Sequence, residues 1–571
     1  MRISRFWSVA LKTLYIPSFL NKKEKRILLI AVIIFTVSAL WLWQFAASNY
    51  LVEAPKKGGT YREGIVGELQ IPNPIWAQSG PDQDISAIIY EGLTGQDEKG
   101  EIVTRLAESY EINDEGKTYL FTLRENLLWS DGKPLSAEDV VFTVKMLQDP
   151  RTKSPFRSYW QGIEITYIDE RRVKFTLREA YTPFLENLMI GIVPKHIWEE
   201  IPPQNIILAD TNFKPVGSGP FILNETTKTQ TGTIETAALK RNPYYNDREP
   251  YLNAIEFRFY PTEEKMFQSW RKDELDGMAN LDPATASQIA QNREATLKIL
   301  PLPRITSVFF NQTKSKALSS LLVRKALELA LPKDKIIQES LAGFGQIANS
   351  PLPEISQGHA HQEAAGPSIE QAKALLVQDG WKDEDADGIL EKSISKKENI
   401  RLGVTLVTSQ KPELAKTAEI IARNWSELGA EIHIEKLEVA NLSENYLRPR
   451  NYDALLFGQV YSLVPDAYPY WHSSQKRDPG LNLSLYDNPE ADKIIDRMRK
   501  AASTAEQEEL ALTFQQFIQS DTPAIFLYQQ PFLWVTPTNL KGINIEKIAS
   551  PSRRFTNISD WHVKTKRTWK K

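Results

Sequence analysis

Residues 27–46, ILLIAVIIFTVSALWLWQFA, run for 20 positions without a charge, and Gln44 is their only strongly polar side chain. As a helix rising 1.5 Å per residue, such a run is about 30 Å long, the thickness of a bilayer's hydrocarbon core. Trp41 and Trp43 lie toward its far end, where interfacial aromatics gather. Lys22, Lys23, Lys25 and Arg26 stand just before it. A basic flank of this kind stays on the cytoplasmic side, so the body is expected outside. A cleaved signal peptide has a shorter apolar stretch, about 7–15 residues, although Ala46-Ala47-Ser48 offers a place to cut. A buried core helix fits less well, because the run is apolar all round and follows a basic patch.

Residues 1–26 hold seven basic residues against one acid, a net +6, so an overall charge of −3 leaves −9 for the 525 residues after Ala46. A mildly acidic body argues against nucleic acid as a partner. The chain has no cysteine, which excludes disulfides, cysteine zinc sites, Fe–S clusters and thiol catalysis. Hydrophobic residues at 42% and charged residues at 25% are those of a globular chain, not a disordered one. At 571 residues it has room for about three or four domains or lobes.

The body mixes short strands with helices. Residues 117–124 alternate, with Tyr119, Phe121 and Leu123 on one face, as a half-buried strand does. After the turn 130–134, Ser136 is expected to cap a helix whose inner face is Val140, Val144 and Leu147. Ser368 and Gln371 form a capping-box pair for a helix that Gly380 stops. Residues 401–408, 413–428 and 431–437 read as strand, helix and strand, which favours a right-handed parallel crossover and an α/β class. Residues 353–367 lack periodicity and read as a loop, and the basic tail 564–571 is expected to fray.

Catalytic motifs are scarce: HExxH, GxSxG and a Walker loop are absent. Gly217-Ser218-Gly219, flanked by Pro215 and Pro220, reads as a rigid turn. Asp383, Asp385, Asp387 and Gly388 match the first half of an EF-hand loop, but its twelfth position is Ile394, so a solvated acidic turn is expected. His359 and His361 could reach one metal, yet no third ligand accompanies them. No cofactor and no metal are expected. Four rings, Tyr461, Tyr468, Tyr470 and Trp471, surround Pro465-Asp466.

Nine segments, in order, resemble the family 5 extracellular solute-binding proteins of ABC importers, the peptide and nickel type. They are YLFTLRENLLWSDGKPLSAEDVVFTV (119–144), IVPKHIW (192–198), PVGSGPF (215–221), LKRNPYY (239–245), PYLNAIEFRFY (250–260), LLVRKALELAL (321–331), QAKALLVQDGWKDEDADGIL (371–390), YWHSSQ (470–475) and DNPEADKIID (487–496). The resemblance covers roughly residues 56–540. It implies a two-lobed periplasmic-binding-protein-like α/β fold with an extra subdomain in the N-terminal lobe, preceded here by one transmembrane helix. Its boundaries would be a basic segment 1–26, anchor 27–46 and linker 47–60; lobe I from 61–95, 216–305 and 521–560; a subdomain 96–215; lobe II 306–520; and a basic tail 561–571. The chain would cross to lobe II near Arg304–Asn311 and return near Pro523–Tyr528.

The same resemblance implies a receptor that captures peptides by hinge closure. It would deliver them to ABC permease subunits driven by cytoplasmic ATPases. The alternative is a membrane-anchored peptide-handling hydrolase or chaperone on this scaffold. The implied cleft draws on Glu68, Asn73 and Trp76 after the first strand and on Phe309, Phe310 and Asn311 at the lobe crossing. It also draws on Gln459, Tyr461, Asp466 and Tyr468. Extended-peptide binders place an aspartate on the ligand's amine; here that position falls on Leu463, so either Asp466 replaces it or the ligand lacks an amine.

Overall fold

The structure, a computed structural model, describes residues 21–181, 183–291, 295–354, 366–395, 398–464, 466–501 and 503–569. Arg2, Arg5 and Lys12 of the basic segment, and His359, His361 and Pro465, lie outside the described residues.

The chain folds as two units, residues 1–57 with 564–571 and residues 58–563. In the first, the apolar run forms a helix, Lys22–Tyr50. Asn21 caps it, its Oδ1 accepting from the backbone N–H groups of Lys23 and Glu24 at 3.0 and 3.1 Å. Every side chain from Lys22 to Phe45 is exposed, and the helix is long and apolar enough to cross a membrane. The linker and tail differ from expectation. Leu51–Lys56 is a strand, and Lys564–Trp569 pairs with it antiparallel, from Leu51 opposite Trp569 to Lys56 opposite Lys564. Each strand satisfies backbone groups that the other would otherwise leave to water, a pairing of residues 508 to 518 positions apart in sequence that local pattern does not reveal.

The second unit holds three large sheets. A seven-stranded sheet runs in the order Ala295–Leu300, Phe532–Pro537, Gly277–Ala279, Thr60–Val66, Ala254–Tyr260, Ile234–Arg241, Phe221–Lys228. A four-stranded antiparallel sheet, built from residues 107–176, shares one hydrophobic core with it: Tyr61, Ile88, Phe121, Trp129, Phe175, Phe257 and Trp534 all belong to that core. A six-stranded sheet orders Gln346–Ile347, Ala524–Gln529, Arg304–Phe310, Ala454–Val460, Gly403–Ser409, Glu431–Leu437. It has a separate core on each face: Phe310, Leu456 and Ile525 point to one, and Phe309, Leu455 and Phe526 to the other. Consecutive residues therefore serve opposite faces, as a strand's period of two requires.

Local signals hold where they are strong. Gly403–Ser409 and Glu431–Leu437 pair parallel across the helix Pro412–Ser426. Ser136 caps the helix Ala137–Gln148, accepting from the N–H of Glu138, while Asp139 accepts from the N–H of Ser136. Ser368 accepts from the N–H of Gln371, and Gly380 follows the helix Ile369–Gln378 in a left-handed conformation. The Gly-Ser-Gly segment is packed against the helix Gly80–Ile89. A Cβ on Gly217 would lie 2.1 Å from the carbonyl oxygen of Ile89, and Ser218, fully buried, accepts from the N–H of Glu91. No nucleophile or phosphate can use it.

The two lobes are joined by two short segments lying side by side. Arg304–Phe310 and Ala524–Gln529 are neighbouring antiparallel strands, Ile305 opposite Gln529. The chain passes between sheets at 301–303, Pro-Leu-Pro, and at 530–531, Gln-Pro. Both crossings thus lie outside the expected strands, and Ala524–Gln529, assigned to lobe I, belongs to the six-stranded sheet of lobe II. Proline ends a strand by withholding a ladder donor, which explains the placement.

Candidate functional site

A cavity of about 370 Å³ opens on the first lobe. Its walls come from the C-terminal half of the helix Gly80–Ile89, residues 90–96, Arg105, residues 156–160, the stretch around Glu186–Gly191, Tyr245 and residues 550–559. Glu91 leaves the helix end, where Ser218 holds its backbone, and its Oε1 accepts from the Tyr245 hydroxyl at 3.2 Å. Burial pushes its carboxyl up to about 7, against the opposing pull of Arg105. One terminal nitrogen of Arg105 donates to the carbonyl of Gln96 at 2.6 Å and to that of Thr556 at 3.3 Å. Arg553 donates to the carbonyl of Met189 at 3.3 Å. Burial, reinforced by the like charge of Arg105, pushes its guanidinium down to about 10. Gln96 borders the cavity at 2% exposure.

Glu91 has a measurable consequence. A carboxyl that titrates near 4.5 when unfolded and near 7 when folded is favoured by the fold in its neutral form. The stability it contributes is complete below about pH 4.5 and is lost as pH rises through 7, about 3 kcal/mol in all. Thermal melts from pH 5 to 8 should therefore show the parent losing stability relative to Glu91→Gln, whose side chain stays neutral. Parallel curves would remove Glu91 from that role.

Beside this cavity the lobes touch. Glu186, a cavity wall, accepts from the N–H of Val464 at 3.0 Å and from the hydroxyl of Ser462. The Tyr181 hydroxyl donates to Asp466 at 3.3 Å. Arg499 Nε lies 3.4 Å from the same carboxylate, and its guanidinium is sandwiched 4.5 Å from the Tyr181 ring and 4.4 Å from the Tyr468 ring. Lys500 pairs with Glu179 at 2.6 Å. Asp466 is 7% exposed, and burial raises its pKa in spite of Arg499. The acid expected to meet a ligand's amine is therefore already matched to a cation of the protein.

The other expected cleft residues separate. Tyr468 joins Asp466 at the contact. Tyr461 donates to Gln459 Oε1 at 3.2 Å, Gln459 donates to the carbonyl of Leu481, and the Tyr461 and Tyr470 rings pack at 4.4 Å. Phe309 and Phe310 are buried in the two cores of the six-stranded sheet, against Trp471 and Trp425. Asn311 holds a turn, accepting from Thr313 and Lys314 and donating to the carbonyl of Arg450. Asn73 bonds Asn212 and the N–H of Ile75, and the Trp76 indole donates to the carbonyl of Thr152 at 2.9 Å. Both are packing residues next to the cavity walls Pro74 and Ala77. Glu68 is exposed. Sequence reasoning missed Glu91, Gln96, Arg105 and Arg553, although Tyr245, which holds Glu91, ends the quoted LKRNPYY segment. In the acidic turn, Glu391 rather than position 394 brings an oxygen within 4.8 Å of those of Asp383 and Asp385.

Comparison with known proteins adds the lineage. The sequence pattern of the bacterial extracellular solute-binding proteins, family 5 Middle, matches residues 101–480. The oligopeptide-binding protein AppA of Bacillus subtilis is 29% identical over 521 residues, covering 89% of this chain and 92% of that protein. The nickel-binding periplasmic protein of Escherichia coli is 26% identical over 448 residues, 75% of this chain and 79% of its own. The solved structure of AppA in complex with a nonapeptide superposes with a TM-score of 0.73 at 26% identity, covering 89% of this chain and 99% of that one.

Proposed function

This chain belongs to the bacterial extracellular solute-binding proteins of family 5, and we propose that it captures peptides outside the cytoplasm by closing its lobes on them and hands them to the permease of an ABC importer. The observation that carries this reading is the cavity beside the contact between Glu186, Tyr181 and the Ser462–Tyr468 stretch, in a fold whose lobes are joined by two short segments. Two such connections permit hinge closure, and the contact is placed to complete it. Relatives that bind oligopeptides and a nonapeptide support peptide as the ligand class. The protein acts as a receptor, and ATP is hydrolysed by its partners. Hydrolysis or chaperoning on the same scaffold has no comparable support.

The helix Lys22–Tyr50, exposed from Lys22 to Phe45, supports an uncleaved anchor with its N-terminus in the cytoplasm. One experiment tests receptor and anchor together: native mass spectrometry on protein extracted gently from the producing cell's membranes. The expected result is an intact mass near 65.1 kDa carrying a ladder of bound peptides, with permease subunits co-purifying. A mass lacking residues 1–46 would refute the anchor. An empty protein that also fails to bind a broad peptide library would refute peptide capture.

A further inference from the structure

The strands Leu51–Lys56 and Lys564–Trp569 form a two-stranded sheet that no third strand extends among the described residues. A lone antiparallel pair is marginal in water and needs a further strand or a packing partner. The pair belongs to the same unit as the apolar helix. Leu51 follows Tyr50, the last residue of that helix, and stands opposite Trp569, so the ribbon starts where the helix stops. Register then sorts the charges, because residues directly opposite share a face and faces alternate along each strand. Ala54 stands opposite Lys566 and Lys56 opposite Lys564, which gathers three lysines on one face. All three are exposed, and among the described residues no carboxylate pairs with them. Lys56 and Lys564 are direct cross-strand partners, and like charges so placed repel. Glu53, the only acid in either strand, belongs to the other face. The wider sequence is polarised in the same way. Residues 51–57 and 564–571 hold seven basic residues and one acid, a net +6, which leaves −15 for residues 58–563. An anionic bilayer therefore repels the body and attracts the ribbon.

We propose that the ribbon lies along the outer surface of the membrane, with Lys56, Lys564 and Lys566 on the phosphates of anionic phospholipids. A ribbon standing upright at 3.3 Å per residue would carry its Lys56–Lys564 end about 20 Å from the bilayer. That is beyond the roughly 8 Å over which charges act at physiological salt. Lying flat brings all three lysines to the headgroups and supplies the packing partner that a lone strand pair lacks. Residues 57 and 564 bound the body, so a ribbon held this way ties both its ends to the membrane. The proposal rests on the anchor reading of the helix for its geometry, while its charge chemistry stands on the ribbon alone.

The test uses the full chain, which has no cysteine, so Thr565→Cys, at an exposed position, takes a single fluorophore. The labelled protein is placed in nanodiscs of phosphatidylcholine alone or with about 30% phosphatidylglycerol, both carrying a headgroup quencher. Quenching should be about twofold stronger or more in the anionic discs, and about 0.5 M NaCl should abolish the difference. The triple variant Lys56→Gln, Lys564→Gln, Lys566→Gln should lose the difference. The same three positions changed to arginine should keep it, with equal melting temperatures showing that both variants fold. Equal quenching of the parent in the two discs overturns the proposal while leaving the anchor intact, and so does a difference that survives in the glutamine variant. If cells yield a chain lacking residues 1–46, the anchor reading fails. That chain is then floated with vesicles of the same two compositions. Binding to the anionic vesicles alone, lost in the glutamine variant, sustains the lipid contact, and binding to neither or equally to both overturns it.

Discussion

Replacing Arg554 by alanine is expected to cost the first lobe about 3–5 kcal/mol, enough to unfold much of it at growth temperature. Arg554 is fully buried and faces two carboxylates that are nearly so, Glu63 at 0% and Asp84 at 4% exposure. It donates to Glu63 Oε1 at 2.6 and 3.2 Å and to Asp84 at 2.7 and 2.6 Å, and its guanidinium lies 4.0 Å from the Phe555 ring. Glu63 takes its remaining bonds from the Tyr61 hydroxyl at 2.6 Å and the Trp534 indole at 2.9 Å. A single cation thus compensates two acids in the interior and ties the C-terminal segment to the strand Thr60–Val66 and the helix Gly80–Ile89. Without it, both carboxylates are stranded out of water, and leaving a buried charge uncompensated is the costly half of breaking an ion pair. Arg554→Lys should be less severe, because one ammonium keeps the charge but cannot fork between two carboxylates. Urea unfolding of the three proteins measures this directly. A loss below about 1 kcal/mol for the alanine variant, the size of a surface pair, would show that the cluster does not hold the lobe.

The second large effect is expected at the lobe contact. Arg499→Ala should weaken ligand binding by about 3 kcal/mol, roughly a hundredfold in affinity. Asp466 would keep the Tyr181 hydroxyl and the N–H of Tyr468 but lose its cation. Tyr181 and Tyr468 would also lose the guanidinium between their rings. Because Tyr181 sits on the opposite lobe from Asp466, Tyr468 and Arg499, the part of that loss made against Tyr181 falls on the closed state, which ligand affinity depends on. The double variant Asp466→Asn with Arg499→Gln should recover part of the affinity, since it removes both charges together and strands neither. Calorimetry with paired spin labels across the lobes reads both quantities. Unchanged affinity and unchanged lobe separation in Arg499→Ala would mean that this contact takes no part in closure.

These residues also mark the limit of what sequence reading reaches. Asp466 and Tyr468 stand out among the aromatics around them, yet Arg499 and Tyr181, which define what Asp466 does, lie 33 and 285 positions away. The cavity behaves in the same way: Glu91, Arg105, Tyr245 and Arg553 come from four separated stretches, each unremarkable alone. Phe309 and Phe310 show the converse error. Adjacent aromatics at a lobe crossing suggest a pocket, but in a strand buried on both faces they serve two different cores.

The amino-acid sequence by itself determines what depends on neighbours in the chain. The uncharged run becomes one long helix because a helix satisfies its backbone N–H and C=O groups within the segment, with no partner needed from elsewhere in the chain. Ser136 and Ser368 start helices because their hydroxyls reach N–H groups two or three residues on. The parallel unit around Pro412–Ser426 forms because alternating and helical patterns follow each other at the right spacing. Only the tertiary structure decided the cavity, the Arg554 cluster, the lobe contact and the pairing of Leu51–Lys56 with Lys564–Trp569. Each of these brings charges or backbone groups together across hundreds of residues. Their energies depend on distance and burial in space, and no local pattern encodes those quantities.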